Sequence, residues 1–136
     1  MCLGQYEWSL RSIDETMHNI LLFNSDNQPF DAKALERIFQ SERGFRDVRL
    51  NEPGGAAIEA DYIEPEDSTI VGLSGSRKSI SLSGTSDAAL RAALILQNKL
   101  GTPLRMVDTD YSFDLILRDI PDIETLRTAI QDAQTS

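Results

Sequence analysis

Three aspartates near the C-terminal end of the sequence are the residues whose type and spacing come closest to a reactive site. Asp108 and Asp110 are two positions apart, and Asp114 follows within the segment MVDTDYSFD. Carboxylate oxygens are the ligands that Mg²⁺ and Ca²⁺ prefer, so clustered aspartates can indicate a metal site. A calcium loop of the D-x-[DN]-x-[DN]-G kind needs a glycine that this segment lacks. We therefore predict a polar loop without a metal, and keep a metal-dependent hydrolase built on the three aspartates as a less favoured alternative.

The same segment resembles the nucleophile motif of the haloacid-dehalogenase-like phosphatases, in which an apolar strand ends in D-x-D. The resemblance implies a large parallel sheet with further Lys and Asp motifs downstream. Only 26 of the 136 residues follow Asp110, and those motifs are not among them. The likeness is therefore confined to the short motif.

Other catalytic constellations lack parts in this sequence. His18 is the single histidine and Cys2 the single cysteine, so neither a Ser-His-Asp triad nor a Cys/His pair can be assembled convincingly. The stretch 72–79, GLSGSRKS, approaches the phosphate-binding pattern G-x-x-x-x-G-K-[ST], but Arg77 stands where that pattern has its second glycine. A strand pattern follows where the motif needs a helix, so we predict a polar hairpin loop. We predict no catalytic residue, no metal and no cofactor.

Acidic residues dominate the charge of the chain and are concentrated in two blocks. The net charge is −9; residues 51–71 hold six acids and no base, and residues 106–136 hold seven acids and two bases. This balance disfavours a nucleic-acid partner, whose backbone requires Lys and Arg, and favours a basic one. No apolar run approaches the roughly 20 residues that span a membrane. With one cysteine and no secretion-signal pattern, we expect a cytoplasmic protein without a membrane partner.

The acidic blocks supply the candidate site for a basic protein partner. Glu59 and Asp61 alternate with apolar residues, so a strand here would present both carboxylates on one face. Tyr62 and Tyr111 are the aromatic residues best placed among the acids to act as central contacts. A merely solubilising face is the alternative. The predicted partner-binding residues are Glu59, Asp61, Tyr62, Glu64, Glu66, Asp67, Asp108, Asp110 and Tyr111.

Hydrophobic periodicity and capping residues predict one α+β domain over residues 17–136, preceded by an N-terminal extension (residues 1–16) that is flexible or a short helix. The expected elements are a strand over 18–23, a helix from Asp31 to near Gly44, strands over 46–50, 57–63, 69–73 and 79–82, a helix over 86–100, strands over 104–107 and 111–117, and a last helix capped by Asp119 or Asp122. The last two strands are either a hairpin or one bent strand. We predict an antiparallel sheet of five to six strands with two to three helices packed mainly on one face.

Residues 79–130 resemble small immunity-type proteins of bacterial polymorphic toxin systems. A strand, a covering helix, a D-x-D-Y-S-F-like strand and a Leu-rich final helix recur in these proteins. The segment from Asp108 to Asp114, with Phe113, carries the most specific part of the likeness. The resemblance implies an antitoxin that neutralises a basic toxin domain by surface complementarity, without catalytic residues. A small-molecule-binding or regulatory domain, with its ligand between the sheet and the helix over 86–100, is the alternative.

Overall fold

The computed structural model describes residues 19–50, 58–84 and 86–135. Within these residues the strands are β1 (Ile20–Asn24), β2 (Phe45–Leu50), β3 (Ile58–Glu64), β4 (Asp67–Leu73), β5 (Ile80–Leu82), β6 (Leu104–Asp108) and β7 (Asp114–Ile116). The helices are α1 (Ala32–Ser41), α2 (Asp87–Leu100) and α3 (Ile123–Thr135). The α+β class is confirmed, with a strand count slightly higher than predicted. The predicted N-terminal extension, Cys2 and His18 lie outside the described residues.

All seven strands form one antiparallel sheet in the order β2-β3-β4-β5-β1-β6-β7. Strands β2 to β5 form an antiparallel meander, since neighbours in this part of the sheet are consecutive along the chain. Strand β1 lies between β5 and β6, where Leu22 is opposite both Ile80 and Met106. Strands β6 and β7 form a hairpin, which decides against one bent strand. Strand β7 is shorter than predicted, and Tyr111, at the predicted start, has a φ of 55° and lies in the loop between β6 and β7.

Residues 72–79 form the predicted hairpin between β4 and β5. The backbone N–H of Ser74 donates a hydrogen bond of 2.9 Å to the carbonyl of Ser79, which closes the turn. Arg77 has a φ of 64°, and its carbonyl accepts a hydrogen bond of 2.6 Å from the backbone N–H of Phe30. The segment that resembles a phosphate-binding loop is therefore a turn that packs against the chain leading into α1.

Several helix ends lie where the capping residues predict them. The Asp31 carboxylate accepts hydrogen bonds from the backbone N–H groups of Lys33 (3.0 Å) and Ala34 (3.4 Å) at the start of α1. Asp122, rather than Asp119, caps the start of α3 through the N–H of Thr125 at 2.8 Å. These carboxylates satisfy N–H groups that have no partner within the helix.

Helix α2 ends as predicted but begins differently. Gly101 follows its last residue with a φ of 79°, the left-handed conformation that ends many helices. At the other end Ser86 occupies the N-cap position, but its side chain makes no capping hydrogen bond. The carboxylate of Asp67, on β4, accepts the hydrogen bond of the Ala88 N–H instead.

The helices cover one face of the sheet, as predicted. Helix α2 packs against β3 and β4 and also contacts α1 and α3, which explains why its sequence is apolar nearly all the way round. None of the helices in the described part of the chain is long and apolar enough to span a membrane. We call the other side of the sheet the open face. Its side chains include Leu21, Phe23, Arg49, Glu59, Asp61, Ile63, Ile70, Arg105, Val107, Asp114 and Ile116.

Candidate functional site

Strand pairing brings the two acidic blocks of the sequence to the same end of the sheet. Strand β3 ends at Glu64, opposite Asp67 at the start of β4. Strand β6 ends at Asp108, opposite Ile20 at the start of β1. Strand β5 lies between these two pairs of strands. Its last residue, Leu82, pairs with both β4 and β1. We call the carboxylates gathered here the acidic end: Glu64, Glu66, Asp67, Asp87, Asp108 and Asp110.

A pocket of about 380 Å³ lies at the acidic end, between α2, α3 and the β6–β7 loop. Its polar lining residues are Asp87, Asp108, Asp110, Ser112, Arg127 and Gln134. Its apolar lining residues are Ile20, Leu90, Phe113 and Ile130. Apolar walls with a few convergent polar groups are typical of ligand sites.

Asp108 is the buried carboxylate of this pocket. It is only 4% exposed, because its side chain projects from β6 toward the helices. Its two oxygens accept hydrogen bonds from Ser112, one from the backbone N–H at 2.6 Å and one from the hydroxyl at 2.5 Å. Gln134 on α3 donates in turn to the Ser112 oxygen at 3.0 Å. The burial of Asp108 is thus compensated by a short hydrogen-bonded network that joins the β6–β7 loop to α3.

Tyr111 lies in the same loop and is 67% exposed. Its backbone N–H donates a hydrogen bond of 3.0 Å to the carbonyl of Asp108, which holds the loop in a tight turn. The φ of Tyr111 is positive, which is uncommon for a residue with a large side chain, and the backbone turns sharply here. The structure therefore presents Tyr111 to solvent, next to the buried Asp108.

Arg127 is the cation that lines the pocket. Its Nε donates to one oxygen of Asp87 at 3.1 Å and its Nη2 to the other, so the guanidinium forms a fork on the carboxylate. Its Nη1 donates to Glu124 at 2.9 Å. The hydrogen bonds from Arg127 lower the pKa of Asp87. This contact connects the first turn of α2 to α3 across the pocket.

Glu64 and Tyr62 are positioned by structural contacts. Arg91 on α2 donates to the Glu64 carboxylate at 3.0 Å, and the Tyr62 hydroxyl donates to the same oxygen at 3.1 Å. Tyr62 is only 6% exposed and its ring packs against that of Phe45, with a centroid separation of 5.0 Å. Burial raises the pKa of Tyr62 to about 12. Its place in the alternation puts Tyr62 on the core face, so its ring is not presented to solvent and its contact with a partner stays a prediction.

A second depression adjoins the pocket. Its lining includes Glu64, Glu66, Asp67 and Asp87, so Asp87 belongs to both depressions. The backbone hydrogen bond from Ala88 lowers the pKa of Asp67, which is occupied in capping α2. Glu66 is exposed in the turn between β3 and β4. Of the three predicted acids here, Glu64 and Asp67 are therefore held by structural contacts, and Glu66 lies at the surface.

Glu59 and Asp61 share a face, as predicted, but they lie on the open face rather than at the acidic end. Arg49 on the neighbouring strand β2 contacts both carboxylates, with its Nε 3.5 Å from Glu59 and its Nη2 3.2 Å from Asp61. The sequence block 51–71 contains no base, yet strand pairing supplies one from outside it. Glu59 and Asp61 therefore share one cation and lie apart from the acidic end, and their part in partner binding stays a prediction.

The three aspartates of the alternative metal site do not converge. Asp114 lies opposite Val107 on the open face, whereas Asp108 lies on the core face. Arg105 binds the Asp114 carboxylate with two hydrogen bonds of 2.8 and 2.6 Å and lowers its pKa. Within residues 19–50, 58–84 and 86–135, no group of three His, Cys, Asp or Glu side chains could hold a metal ion. The metal centre on which the hydrolase alternative depends is not formed by these aspartates.

Sequence reasoning missed four residues that shape the pocket: Asp87, Ser112, Arg127 and Gln134. A serine four residues after an aspartate is a recognisable signal for a local side-chain hydrogen bond to the backbone, and Ser112 could have been found in this way. Gln134 and Arg127 carry no such signal, since they reach the site only through the packing of α3. Asp87, the first residue of α2, also lines the pocket.

No protein-family model matches the chain, and neither a curated protein nor a solved structure matches it significantly. The likeness to immunity-type proteins therefore remains a prediction from sequence.

Proposed function

We propose that this protein is a non-catalytic binding domain whose acidic end receives a basic surface of a partner protein. The observation that carries the proposal is the meeting of two sequence-distant acidic blocks at one end of the sheet, beside a pocket of about 380 Å³. Clustered like charges repel one another and destabilise the folded chain, and a cationic partner would offset that repulsion. The same field would steer a cationic partner toward this end during association.

The lining of the pocket has the chemistry that a lysine or arginine side chain requires. Such side chains combine an apolar stem with a cationic head. Phe113 and Ile130 provide apolar wall, and Asp87 and Asp108 provide carboxylate oxygens. In the proposed complex one basic side chain of the partner enters the pocket, and the exposed Tyr111 contacts the surface around it.

Charge compensation supports a cationic ligand. Arg91 pairs with Glu64, and Arg127 pairs with Asp87. The donors that hold Asp108, by contrast, are the uncharged backbone and hydroxyl groups of Ser112. Hydrogen bonds between a carboxylate and a cationic donor are roughly twice as strong as neutral ones, so a guanidinium or ammonium group is a favourable additional partner.

The more specific form of the proposal is an immunity-type inhibitor of a bacterial toxin domain. Its support is the likeness of residues 79–130 to such proteins and the acidity of the chain, since a nucleic-acid-cleaving toxin presents a basic surface to its substrate. A protein partner, rather than a nucleic acid, fits the net charge of −9. We place this function in the cytoplasm, because a single cysteine in the sequence fits a reducing compartment.

Photocrosslinking from position 111 in the native host tests the proposal. We replace Tyr111 with a photoreactive phenylalanine derivative and expect a cross-link to a protein with a basic surface. The purified partner should bind the double variant Glu66→Gln/Asp110→Asn about tenfold more weakly than the unmodified chain. Glu36→Gln, which removes the same kind of charge from α1, is the matched control and should change the affinity less than twofold.

Two results would overturn the proposal. One is the absence of any cross-link from position 111 when the same reagent placed at Ser76, in the β4–β5 turn, captures a partner. The other is an affinity for the purified partner that falls equally in the double variant and in Glu36→Gln, because the charge of the acidic end would then have no special part in binding.

A small cationic molecule is the second candidate ligand, and the pocket itself favours it. A volume of about 380 Å³ lies within the range of roughly 300–1,000 Å³ that small-molecule sites occupy. Acetyl-arginine amide and its uncharged counterpart acetyl-citrulline amide distinguish the two cases. A rise in the melting temperature with the arginine compound alone, together with no protein cross-link at position 111, would favour the small molecule.

A further inference from the structure

Helix α3 forms one wall of the pocket and is tied across it by two side-chain bridges. Its lining residues are Arg127, Ile130 and Gln134. The Arg127 guanidinium binds the Asp87 carboxylate at the start of α2. The amide nitrogen of Gln134 donates a hydrogen bond of 3.0 Å to the Ser112 hydroxyl oxygen in the β6–β7 loop. Asp87 and Ser112 also line the pocket, so both bridges end within it.

The second half of α3 is buried less than the first. Leu126 has 0% of its surface exposed, whereas every residue from 127 to 134 is half-buried or exposed. Ile130 and Ala133 pack against the core but are only partly buried. Helix α2, the other helix of the pocket, has buried side chains from Ala88 to Gln97. Segments with few buried apolar side chains open locally at a lower free energy than the rest of a fold, so α3 is the more easily opened of the two helices.

The carboxylates proposed to hold a cationic side chain are the ones engaged by these bridges. Both oxygens of Asp87 accept hydrogen bonds from Arg127. Asp108 is only 4% exposed, and its oxygens accept hydrogen bonds from Ser112, which Gln134 holds in turn. A cation that binds Asp87 competes with Arg127, and one that binds Asp108 disturbs the serine that Gln134 contacts. By linkage, ligand binding and the attachment of α3 then weaken each other by the same factor.

We propose that residues 127–135 of α3, the lid, swing away from the pocket to admit a cationic side chain, and that the two bridges hold the lid closed. Leu126 and the Asp122 cap keep the preceding turn in place, so the helix opens from Arg127 onward. The part of the inference that concerns the ligand rests on the proposed function. The opening itself is a property of the free protein, and the bridges set how often it occurs.

Hydrogen exchange of the backbone amides in the free, full-length chain tests the lid. Gln134→Ala removes one bridge and Arg127→Gln removes the other, and both substitutions keep residues that favour a helix. Gln131→Ala is the matched control, because Gln131 lies exposed on the lid and is not among the residues that line the pocket. The exchange rates of individual amides in α2 and α3 are followed by NMR.

The lid amides should exchange about five- to tenfold faster in each bridge variant than in the unmodified chain, since each bridge contributes hydrogen bonding to the closed state alone. The amides of α2 should change less than about twofold, as should all amides in Gln131→Ala. Unchanged lid rates in both bridge variants would overturn the proposal. Lid and α2 amides that speed up by the same factor would also overturn it, because α3 would then open only when the whole fold unfolds.

Acetyl-arginine amide tests the competition between the ligand and the bridges. At saturation it should speed the exchange of the lid amides, and Gln134→Ala should bind it several times more tightly than Gln131→Ala does. Acetyl-citrulline amide should do neither. A bound arginine compound that slows lid exchange, or that binds both variants equally, would overturn the competition. A lid that opens in the free chain, together with no binding of the arginine compound, would contradict the proposed function and support the lid.

Discussion

The carboxylate of Asp67, the first residue of β4, accepts a hydrogen bond of 3.0 Å from the backbone N–H of Ala88 and so caps helix α2. The two residues are 21 positions apart in the sequence. Because the contact ties the β3–β4 turn to the first turn of α2, one carboxylate both stabilises the helix and contributes negative charge to the acidic end. Not every acid at this end is therefore free to bind a partner.

Asp67→Ala should lower the free energy of unfolding by about 1 kcal/mol, because the Ala88 N–H loses its acceptor at the helix end. Urea denaturation at neutral pH measures the change. The neighbouring exposed residue provides the control: Glu66→Ala should change the free energy of unfolding by less than about 0.5 kcal/mol. Similar losses in the two variants would show that the cap contributes nothing beyond surface charge.

The same cap makes stability depend on acid pH. The hydrogen bond from Ala88 lowers the pKa of Asp67 in the folded protein below its unfolded value of about 3.9. The stabilisation is therefore fully present above that unfolded value and is lost as the pH falls through the folded pKa. Urea midpoints measured from pH 7 downward should show the gap between the unmodified chain and Asp67→Ala shrinking below about pH 4. A gap that stays constant through this range would contradict the mechanism.

Tyr62 should ionise only at strongly alkaline pH. Burial raises its pKa to about 12, and its hydroxyl donates to Glu64. Since the folded pKa lies above the unfolded value of about 10, this contribution to stability is present below pH 10 and is lost as the pH rises through 12. Tyrosinate absorbance during an alkaline titration should contain a late component that Tyr62→Phe removes and Tyr111→Phe leaves in place.

Arg49 should stabilise the open face because its positive charge compensates the carboxylates of Glu59 and Asp61. Arg49→Ala leaves Glu59 and Asp61 as like charges on one strand, so the melting temperature should fall by about 2–5 °C at low salt. High salt should reduce the fall by screening. Adding Glu59→Gln to the variant should restore part of the stability, and Lys33→Ala on α1 is the control for losing a cation. A fall that salt and Glu59→Gln leave unchanged would mean that Arg49 acts through packing.

Arg127 should compete with a cationic ligand for the pocket. Its guanidinium is held by Asp87, so Arg127→Gln leaves that carboxylate without its cation. We expect acetyl-arginine amide to bind this variant several times more tightly than the unmodified chain, as measured by NMR titration of Ser112 and Phe113. Arg91→Gln, which frees Glu64 outside the pocket, should have little effect. Equal or weaker binding to Arg127→Gln would place the cation elsewhere.

Local signals predicted the individual elements well. Asp31 and Gly101 mark helix ends because capping depends on a few adjacent backbone groups. The alternation around Glu59 and Asp61 predicted their common face, since side chains on a strand alternate whatever lies next to it. The composition predicted a basic partner, and this remains a prediction.

The sequence by itself determined where helices and strands form and which residues of a strand share a face, because these properties depend on neighbours along the chain. Only the tertiary structure decided which charges meet. Strand pairing put Arg49 between two acids that looked unpaired, buried Tyr62, and separated Asp114 from Asp108. It also joined two distant acidic blocks at one end of the sheet. Coulomb interactions and hydrogen bonds act through space, so their partners are set by the order of the strands and not by position in the sequence.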